Sequence, residues 1–382
     1  MKVLFISNDP TIFEPKSVAR ARMKTYASAI GELHILSRAA QHTEVQDGNL
    51  YLHGLRPLPT IVGRALFFYT LLRHAQALVS RHHIEVVSAQ DPFEHGWVAM
   101  HAVRATSAKL HIQIHTDFLS PFFTVNSFKN KVRIHIANAV IPKADGIRVV
   151  SEWIRHQIIE RYGKSIPNPT VISIVVPTAT SVHVTQPHYP PLPKFPFTFV
   201  LMAIGRLEKE KRIGDSIRVV ARLVQKKYPV GLLVVGEGSQ RKALKHIANT
   251  LGVKDRIIFL GNRSDVSELL KNTAQAFIQT SAYEGYSRTY FEAALSGTPM
   301  IVTDVKVMGD VFVHNKSALM CSVGDVECLA EQVATVIEDM QLRHTLAELA
   351  MMAVRRYIDS SGDIPKRIAD DLSKTISHKR EL

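Results

Sequence analysis

Five prolines crowd residues 186–197 (Pro187, Pro190, Pro191, Pro193 and Pro196), where repeated loss of backbone N–H donors rules out a helix or a central strand. This linker splits the 382-residue chain nearly in half. Each half alternates short β-rich runs with runs of helical period, the pattern of a parallel sheet covered by helices. In the first half the predicted strands are Val3–Ser7, Leu33–Leu36, Ile84–Ser88, Leu110–His115, Gly146–Val150 and Val171–Val176. The predicted helices are Val18–Ile30, Val62–Ser80, His95–Ala105, Phe128–Ile141 and Glu152–Tyr162. In the second half Thr198–Ile204, Gly231–Val235, Arg256–Leu260, Ala276–Gln279 and Met300–Val302 read as strands, and Glu327–His378 as a helical tail. Ile213, Ile217, Val220, Ala221 and Val224 form one apolar helical stripe.

The expected fold is therefore α/β, with two Rossmann-like domains facing across a cleft: 1–185, the linker 186–197, 198–360, and a helical tail 361–382 that packs back on the first domain. Open parallel sheets place ligands beyond the carboxyl ends of their strands. Three motifs fall at such ends. Val235-Gly236-Glu237-Gly238-Ser239 is a strand running through Gly-x-Gly into a helix, which suits an anion but also serves as a plain tight connection. Arg241 stands where the dinucleotide fingerprint needs its third glycine, which argues against a nicotinamide enzyme.

Gly205-Arg206 to Lys211 delivers a planar guanidinium and a point charge, a pair suited to a diphosphate, though Glu208 and Glu210 between them fit an exposed ion-pair cluster equally well. Glu284-Gly285-Tyr286-Ser287-Arg288-Thr289-Tyr290-Phe291-Glu292 is the most specific of the three. Ser287 reads as a helix N-cap, so free amides at the helix start suit a phosphate while the two carboxylates suit sugar and ribose hydroxyls.

In their order and spacing these motifs, with Phe259-Leu260-Gly261 and Ser296-Gly297-Thr298-Pro299, resemble the nucleotide-sugar-binding domain of retaining GT-B glycosyltransferases of family 4. The resemblance spans about Phe199 to Ile337 and includes the E-x7-E motif Glu284 to Glu292; in the first half it extends to Ala144–Glu152 and otherwise to the outline. It implies that Arg206 and Lys211 bind the donor diphosphate, Glu292 the ribose and Glu284 the transferred sugar. It assigns base contacts to Gly261, Asn262 and Arg263, a donor-side place to Gly236, Gly285, Tyr286 and Ser287, and backbone N–H groups near the phosphates to Thr289 and Tyr290. His115, at a strand end, is similar to a family histidine near the reacting sugar. Many members carry paired glycines after the first strand, whereas Asp9 to Ser17 contains none; Lys16 or Ser17 is expected to substitute.

The implied activity is retaining transfer from a nucleotide diphosphate sugar to a glycan or lipid-linked hydroxyl acceptor, in glycan, glycolipid or cell-surface polysaccharide synthesis, with no metal and no cofactor beyond the donor. The alternative is a catalytically silent nucleotide-sugar-binding protein. Two neighbouring acids also suit a glycosidase, but a phosphate-suited helix start beside them favours binding roles.

Of the +13 net charge, residues 1–185 carry +8 and residues 186–382 carry +5. No nucleic-acid motif accompanies the basicity, so no nucleic-acid partner is expected. Arg64–Arg73 is a basic, aromatic helical run, and Phe118, Leu119, Phe122 and Phe123 precede Lys129, Lys131 and Arg133, which points to weak contact with an anionic membrane. Cys321 and Cys328, seven apart, have neither zinc nor redox spacing and read as incidental thiols of a reducing compartment. Met1–Asp9 reads as a buried strand rather than a signal peptide, and no apolar run reaches the roughly 18 residues of a membrane span. The expected location is cytoplasmic, or peripheral at the inner membrane face.

Overall fold

The structure, a computed structural model, describes residues 1–57, 60–104, 106–125, 127–174, 189 and 191–378. The chain divides into two compact units: Met1–Leu119 with Thr124–Val182 and Ser361–Leu382, and His183–Ser360 with Ser120–Phe123. The units meet at Val182 and His183, and the short segment 120–123 belongs to the second unit. Of the proline-rich linker, residues 186–188 and 190 lie outside the described residues, as do 175–176 of the last strand expected in the first half and Ala105 at the end of an expected helix.

The N-terminal unit is an eight-stranded sheet, β1 (Lys2–Ile6), β2 (Glu32–Arg38), β3 (Thr43–Asp47), β4 (Leu50–Leu55), β5 (Val86–Ala89), β6 (Lys109–Ile114), β7 (Gly146–Val149) and β8 (Thr170–Val171), in the order β3-β4-β2-β1-β5-β6-β7-β8. Its helices are α1 (Val18–Ile30), α2 (Ile61–His82), α3 (Glu94–Ala102), α4 (Phe128–Val140) and α5 (Glu152–Tyr162). Every pairing is parallel except the β3–β4 hairpin, which the sequence reading did not anticipate. The C-terminal unit is a six-stranded, wholly parallel sheet, β9 (Phe199–Ile204), β10 (Val230–Val235), β11 (Ile257–Gly261), β12 (Ala276–Gln279), β13 (Met300–Thr303) and β14 (Leu319–Cys321), in the order β11-β10-β9-β12-β13-β14. Its helices are α6 (Ile213–Gln225), α7 (Arg241–Thr250), α8 (Val266–Asn272), α9 (Arg288–Leu295), α10 (Val326–Glu338) and α11 (Met340–Ser361). Strand order reverses at β1 in one sheet and at β9 in the other, and such switch points are where the loops after two adjacent strands part to leave a crevice.

The apolar runs are the cores of both sheets. All six residues of β9 and all six of β10 are buried, and the α6 stripe packs on them with Leu244, Val253 and Val333. Cys321 ends β14 and α10 begins at Val326; the reversal between them brings the Cα atoms of Cys321 and Cys328 to 6.0 Å, and the two sulfurs are bonded. The reading of two incidental thiols is thus overturned, and with it the support those thiols lent to a reducing compartment.

The expected single helical tail is three helices, and the last, α12 (Ile364–Ser377), lies against α1 and the strands β5, β6 and β7 of the N-terminal unit. The approach is close: a Cβ on Gly146 would sit 2.0 Å from Thr375 Oγ1. Beneath α12 runs a buried polar chain. His115 Nε2 and Arg148 both donate to Gln113 Oε1 at 3.1 and 2.9 Å. Gln113 Nε2 donates to Ser88 Oγ at 2.9 Å, Ser88 donates to His111 Nδ1 at 2.7 Å, and His111 Nε2 donates to Asp371 Oδ2 on α12 at 3.0 Å. Alternate residues of a strand share a face, which puts His111, Gln113 and His115 in one row.

Burial alone would raise the Asp371 carboxyl, but its bond to His111, with Thr170 and the Arg148 charge, holds it below the ordinary value. The stabilisation it provides is therefore complete above the ordinary aspartate pKa of about 4 and is lost as pH falls through the lower folded value. Asp371→Asn is expected to cost about 1–3 kcal/mol at neutral pH and to flatten the acid limb of the stability profile, read by urea unfolding from neutral to acidic pH.

Candidate functional site

The crevice of the C-terminal sheet is built by the loops after β9 and β12. The first loop leaves β9 through Gly205 and carries Arg206 to Lys211; the second leaves β12 through the buried polar run Gln279-Thr280-Ser281 and leads to α9. Thr280 Oγ1 donates to the carbonyls of Lys211 and Arg212, and Ala282 N–H to that of Glu210, so the two loops are stitched by backbone as well as side chains.

At their meeting point lies Glu284, only 7% exposed. Its Oε1 accepts from Lys211 Nζ at 2.6 Å, Ser281 Oγ at 2.6 Å and Gln279 Nε2 at 2.5 Å. Gln279 Oε1 in turn accepts from Thr289 Oγ1 in the first turn of α9 at 2.7 Å, which ties the helix start to the buried ion pair. The first turn of a helix leaves its amides without intrahelical acceptors, and α9 points that turn from the same loop that bears Glu284. The site thus combines one cation, one buried carboxylate and a helix start.

Ser287 occupies the N-cap position as expected, but in the left-handed region (φ 48°), and its buried hydroxyl makes no capping bond and has no partner. Tyr290 also departs from expectation. Its N–H donates to the Ser287 carbonyl at 2.9 Å, and its ring is buried between Phe277 and Phe312, where desolvation, with the charges of Glu284 and Asp304, pushes its hydroxyl well above the ordinary tyrosine value. Tyr286 stacks on Phe291 and belongs to the same core. Glu292 projects one turn further along α9, 3.8 Å from Arg288; burial pushes its carboxyl up and Arg288 pulls it back in part.

Arg206 and Lys211 have different acidic partners. The Arg206 side chain is 73% exposed and pairs with Glu210 at 2.9 Å, while Glu208 binds the Ser239 amide and hydroxyl at 3.0 and 2.7 Å. The glycines of the Gly-x-Gly turn serve a packing need: a Cβ on Gly236 would lie 2.0 Å from the Gly205 carbonyl oxygen, and one on Gly238 2.5 Å from that of Leu207. The Gly236 N–H is itself donated to the Gly261 carbonyl at 2.7 Å. In the neighbouring loop Asn262 is exposed, whereas Arg263 is engaged by Asp265 and covered by the Tyr189 ring at 4.0 Å.

In the N-terminal unit, Ser17 caps α1: it accepts from Arg20 N–H at 3.1 Å and donates to the Thr11 carbonyl at 2.6 Å. Its hydroxyl is thereby committed to the cap, and Lys16 beside it is exposed. His115 ends the buried polar chain, and burial, with the Arg148 and Arg22 charges, pushes its imidazole down to about 3, so it is neutral at physiological pH. Gln279, Ser281 and Thr280 were not singled out from sequence. Their signal was three polar residues closing an otherwise apolar run at the carboxyl end of a central parallel strand.

Two Rossmann-like units, one with a cationic and carboxylate site at its switch point and a helix start beside it, define an α/β class with a ligand site at its strand ends. Residues 23–180 match the family described as Glycosyltransferase Family 4, and residues 191–351 the family described as Glycosyl transferases group 1. The chain belongs to the family 4 glycosyltransferases. Over 155 residues, 41% of its length, it is 29% identical to N-acetyl-alpha-D-glucosaminyl L-malate synthase of Bacillus anthracis, and the match spans 40% of that protein. In fold it is similar to sucrose-phosphate synthase of Thermosynechococcus elongatus (TM-score 0.77, 15% identity, 99% of this chain and 100% of that one). It is likewise similar to HepE of Anabaena, solved with UDP and glucose (TM-score 0.71, 20% identity, 98% and 99%). These neighbours have the GT-B fold.

Removing Lys211 leaves a buried carboxylate without its counter-charge. Lys211→Met is expected to cost about 3 kcal/mol in urea unfolding, and adding Glu284→Gln to it to restore part of that loss.

Proposed function

We propose that this chain is a retaining glycosyltransferase that moves a sugar from a nucleotide diphosphate donor to a hydroxyl acceptor, in the making of a glycan, glycolipid or cell-surface polysaccharide. The observation that carries the proposal is the Lys211–Glu284 pair, 2.6 Å apart at the switch point beside α9. In this reading the arriving diphosphate takes the ammonium of Lys211 and the amides of Arg288 and Thr289 at the start of α9, and Glu284, released, accepts from hydroxyls of the sugar. Exposed Arg206 exchanges Glu210 for a phosphate oxygen. Glu292 accepts from the ribose.

When the sugar–phosphate bond breaks, negative charge grows on the departing diphosphate, and fixed cations and amides stabilise it more than they stabilise the ground state. The same cations supply the charge that a divalent metal would bring, which supports a metal-independent reaction. The leaving phosphate takes the acceptor proton on the face it departs from, so the anomeric configuration is retained. Neutral His115 fits hydrogen bonding to a sugar hydroxyl rather than charge stabilisation. The complex of HepE with UDP and glucose makes uridine diphosphate sugars the first donors to test.

For the acceptor we propose weak contact between the N-terminal unit and an anionic membrane. No helix among the described residues is long and apolar enough to cross a membrane. Phe118 and Phe123 of the expected aromatic run are buried, but Leu66 and Tyr69 on α2 are exposed, as are Phe128 and Val132 beside Lys129 and Lys131 on α4, and both helices pack on α3. The chain is expected to co-sediment with anionic vesicles at low salt and to be released as ionic strength rises; absence of sedimentation at low salt counts against the contact.

The donor assignment is tested by thermal shift against nucleotide diphosphates and their sugars, then by NMR of the product formed with the best donor. A stabilising donor, product of unchanged anomeric configuration, and turnover indifferent to added Mg2+ or Mn2+ are expected. Arg206→Ala and Glu292→Ala are each expected to weaken donor stabilisation by about tenfold in apparent affinity, as loss of a charge-assisted bond predicts. If both keep full stabilisation, the site is elsewhere; if a donor binds but acceptors never stimulate its turnover, the chain is a binding protein.

A further inference from the structure

We propose that Glu32, His34 and His82 of the N-terminal unit form a binding site for one divalent cation of the zinc class. The ligand atoms of these residues all lie within 4.8 Å of one another. Glu32 and His34 alternate on β2 and so share a face, and His82 is the last residue of α2, where the negative end of the helix dipole favours a cation. His34 is fully buried, stacked on Tyr51, with the His82 ring tilted over it at 4.4 Å. Nitrogen and carboxylate donors in threes, with a fourth position left to water, are a zinc set, and ligand atoms about 3.4 Å apart would close around it. Glu32 and His82 are only half-buried and have room to make that adjustment.

The contacts around His34 accommodate a cation. Its Nε2 is 3.0 Å from Glu32 Oε1, its Nδ1 is 3.0 Å from His53 Nε2, and His53 Nδ1 is 2.5 Å from Glu44 Oε2. With a cation between Glu32 and His34 Nε2, the His34 proton sits on Nδ1. His34 Nδ1–H then donates to His53 Nε2, and His53 Nδ1–H donates to Glu44, which leaves every contact satisfied and gives the ligand histidine the outer partner that such histidines usually have. A surface cavity of about 440 Å3, lined by Glu44, Tyr51, His53 and Arg81, opens onto His82. The Lys2 ammonium, 3.4 Å from Glu32 Oε1 and 44% exposed, is the group a cation must displace.

The test uses the full chain, stripped with a chelator and titrated with Zn2+ by calorimetry, with Co2+ substitution read by visible absorption. The expected result is about one tight site per chain, a rise in melting temperature with Zn2+, and intense Co2+ bands of low coordination number. His82→Ala and Glu32→Gln are each expected to abolish the tight site and the thermal shift, and Glu44→Gln to weaken binding by about 10- to 100-fold. His82 ends a helix and Glu32 begins a strand, so both variants are checked for the wild-type circular dichroism spectrum. Equal Zn2+ binding by wild type and both folded variants, or a Co2+ spectrum like that of the free aqueous ion, overturns the proposal.

Discussion

Three donors from two loops converge on one oxygen, Glu284 Oε1: an ammonium, a hydroxyl and an amide. A carboxylate 7% exposed is costly to hold charged unless its bonds are made, and here they are made by the residues that define the crevice. Lys211 comes from the loop after β9, Gln279 and Ser281 from the end of β12, and Gln279 passes the linkage on to Thr289 at the start of α9. The parallel topology is what allows this, because β9 and β12 are neighbours whose connections run to opposite sides of the sheet. The resulting site holds its cation and its carboxylate neutralised against each other, 2.6 Å apart.

The N-terminal unit solves a similar problem with a different row of residues. Arg148 is a buried guanidinium satisfied by the carbonyls of Ile172 and Ser173 and by Gln113. From Gln113 the chain of bonds runs one way to His115 and the other way through Ser88 and His111 to Asp371. The strand-end histidine is thereby oriented by a helix some 260 residues away in sequence. Such networks cost desolvation and return geometry, since a half-satisfied version is worse than an apolar core. The price is visible in Gly146, which must lack a side chain so that α12 can come close enough to place Asp371.

Most of the architecture was legible in the sequence because parallel strands, buried on both faces, stand out as short apolar runs: α1, α5 and β12 fall on the expected residues, and most other expected strands differ at their ends by at most two. The exception is the expected Val171–Val176, of which only Thr170–Val171 pairs among the described residues, and the short edge strand β14 was not expected. The β3–β4 hairpin was missed because Thr43–Asp47 is polar and lies at the sheet edge, although the two-residue Gly48-Asn49 connection is a recognised hairpin turn. The Cys321–Cys328 bond was missed because spacing carries no information on a chain reversal between a strand and a helix. In the site, Glu284 and Lys211 were legible from spacing, but their mutual pairing was not, because it depends on β9 and β12 being neighbours in the sheet. The capping expectation at Ser287 had the right position and the wrong chemistry: the left-handed backbone turns its hydroxyl away from the helix amides.

The Gly-x-Gly turn shows how a motif can be right in place and different in cause. Glycines before a helix are usually credited to close approach by a phosphate, yet here each faces protein backbone: Gly236 the Gly205 carbonyl, Gly238 that of Leu207. Leu207 N–H donates to the Glu237 carbonyl and Gln240 N–H to that of Leu207, so the β10 turn and the Arg206–Lys211 loop form one packed unit. A side chain at either glycine would push that loop away from the turn and shift Lys211 relative to Glu284, which tolerate little displacement at 2.6 Å. The glycines thus act on the ligand site at one remove, by fixing the loop that supplies its cation, and the same spacing would be required even if no ligand atom ever touched them.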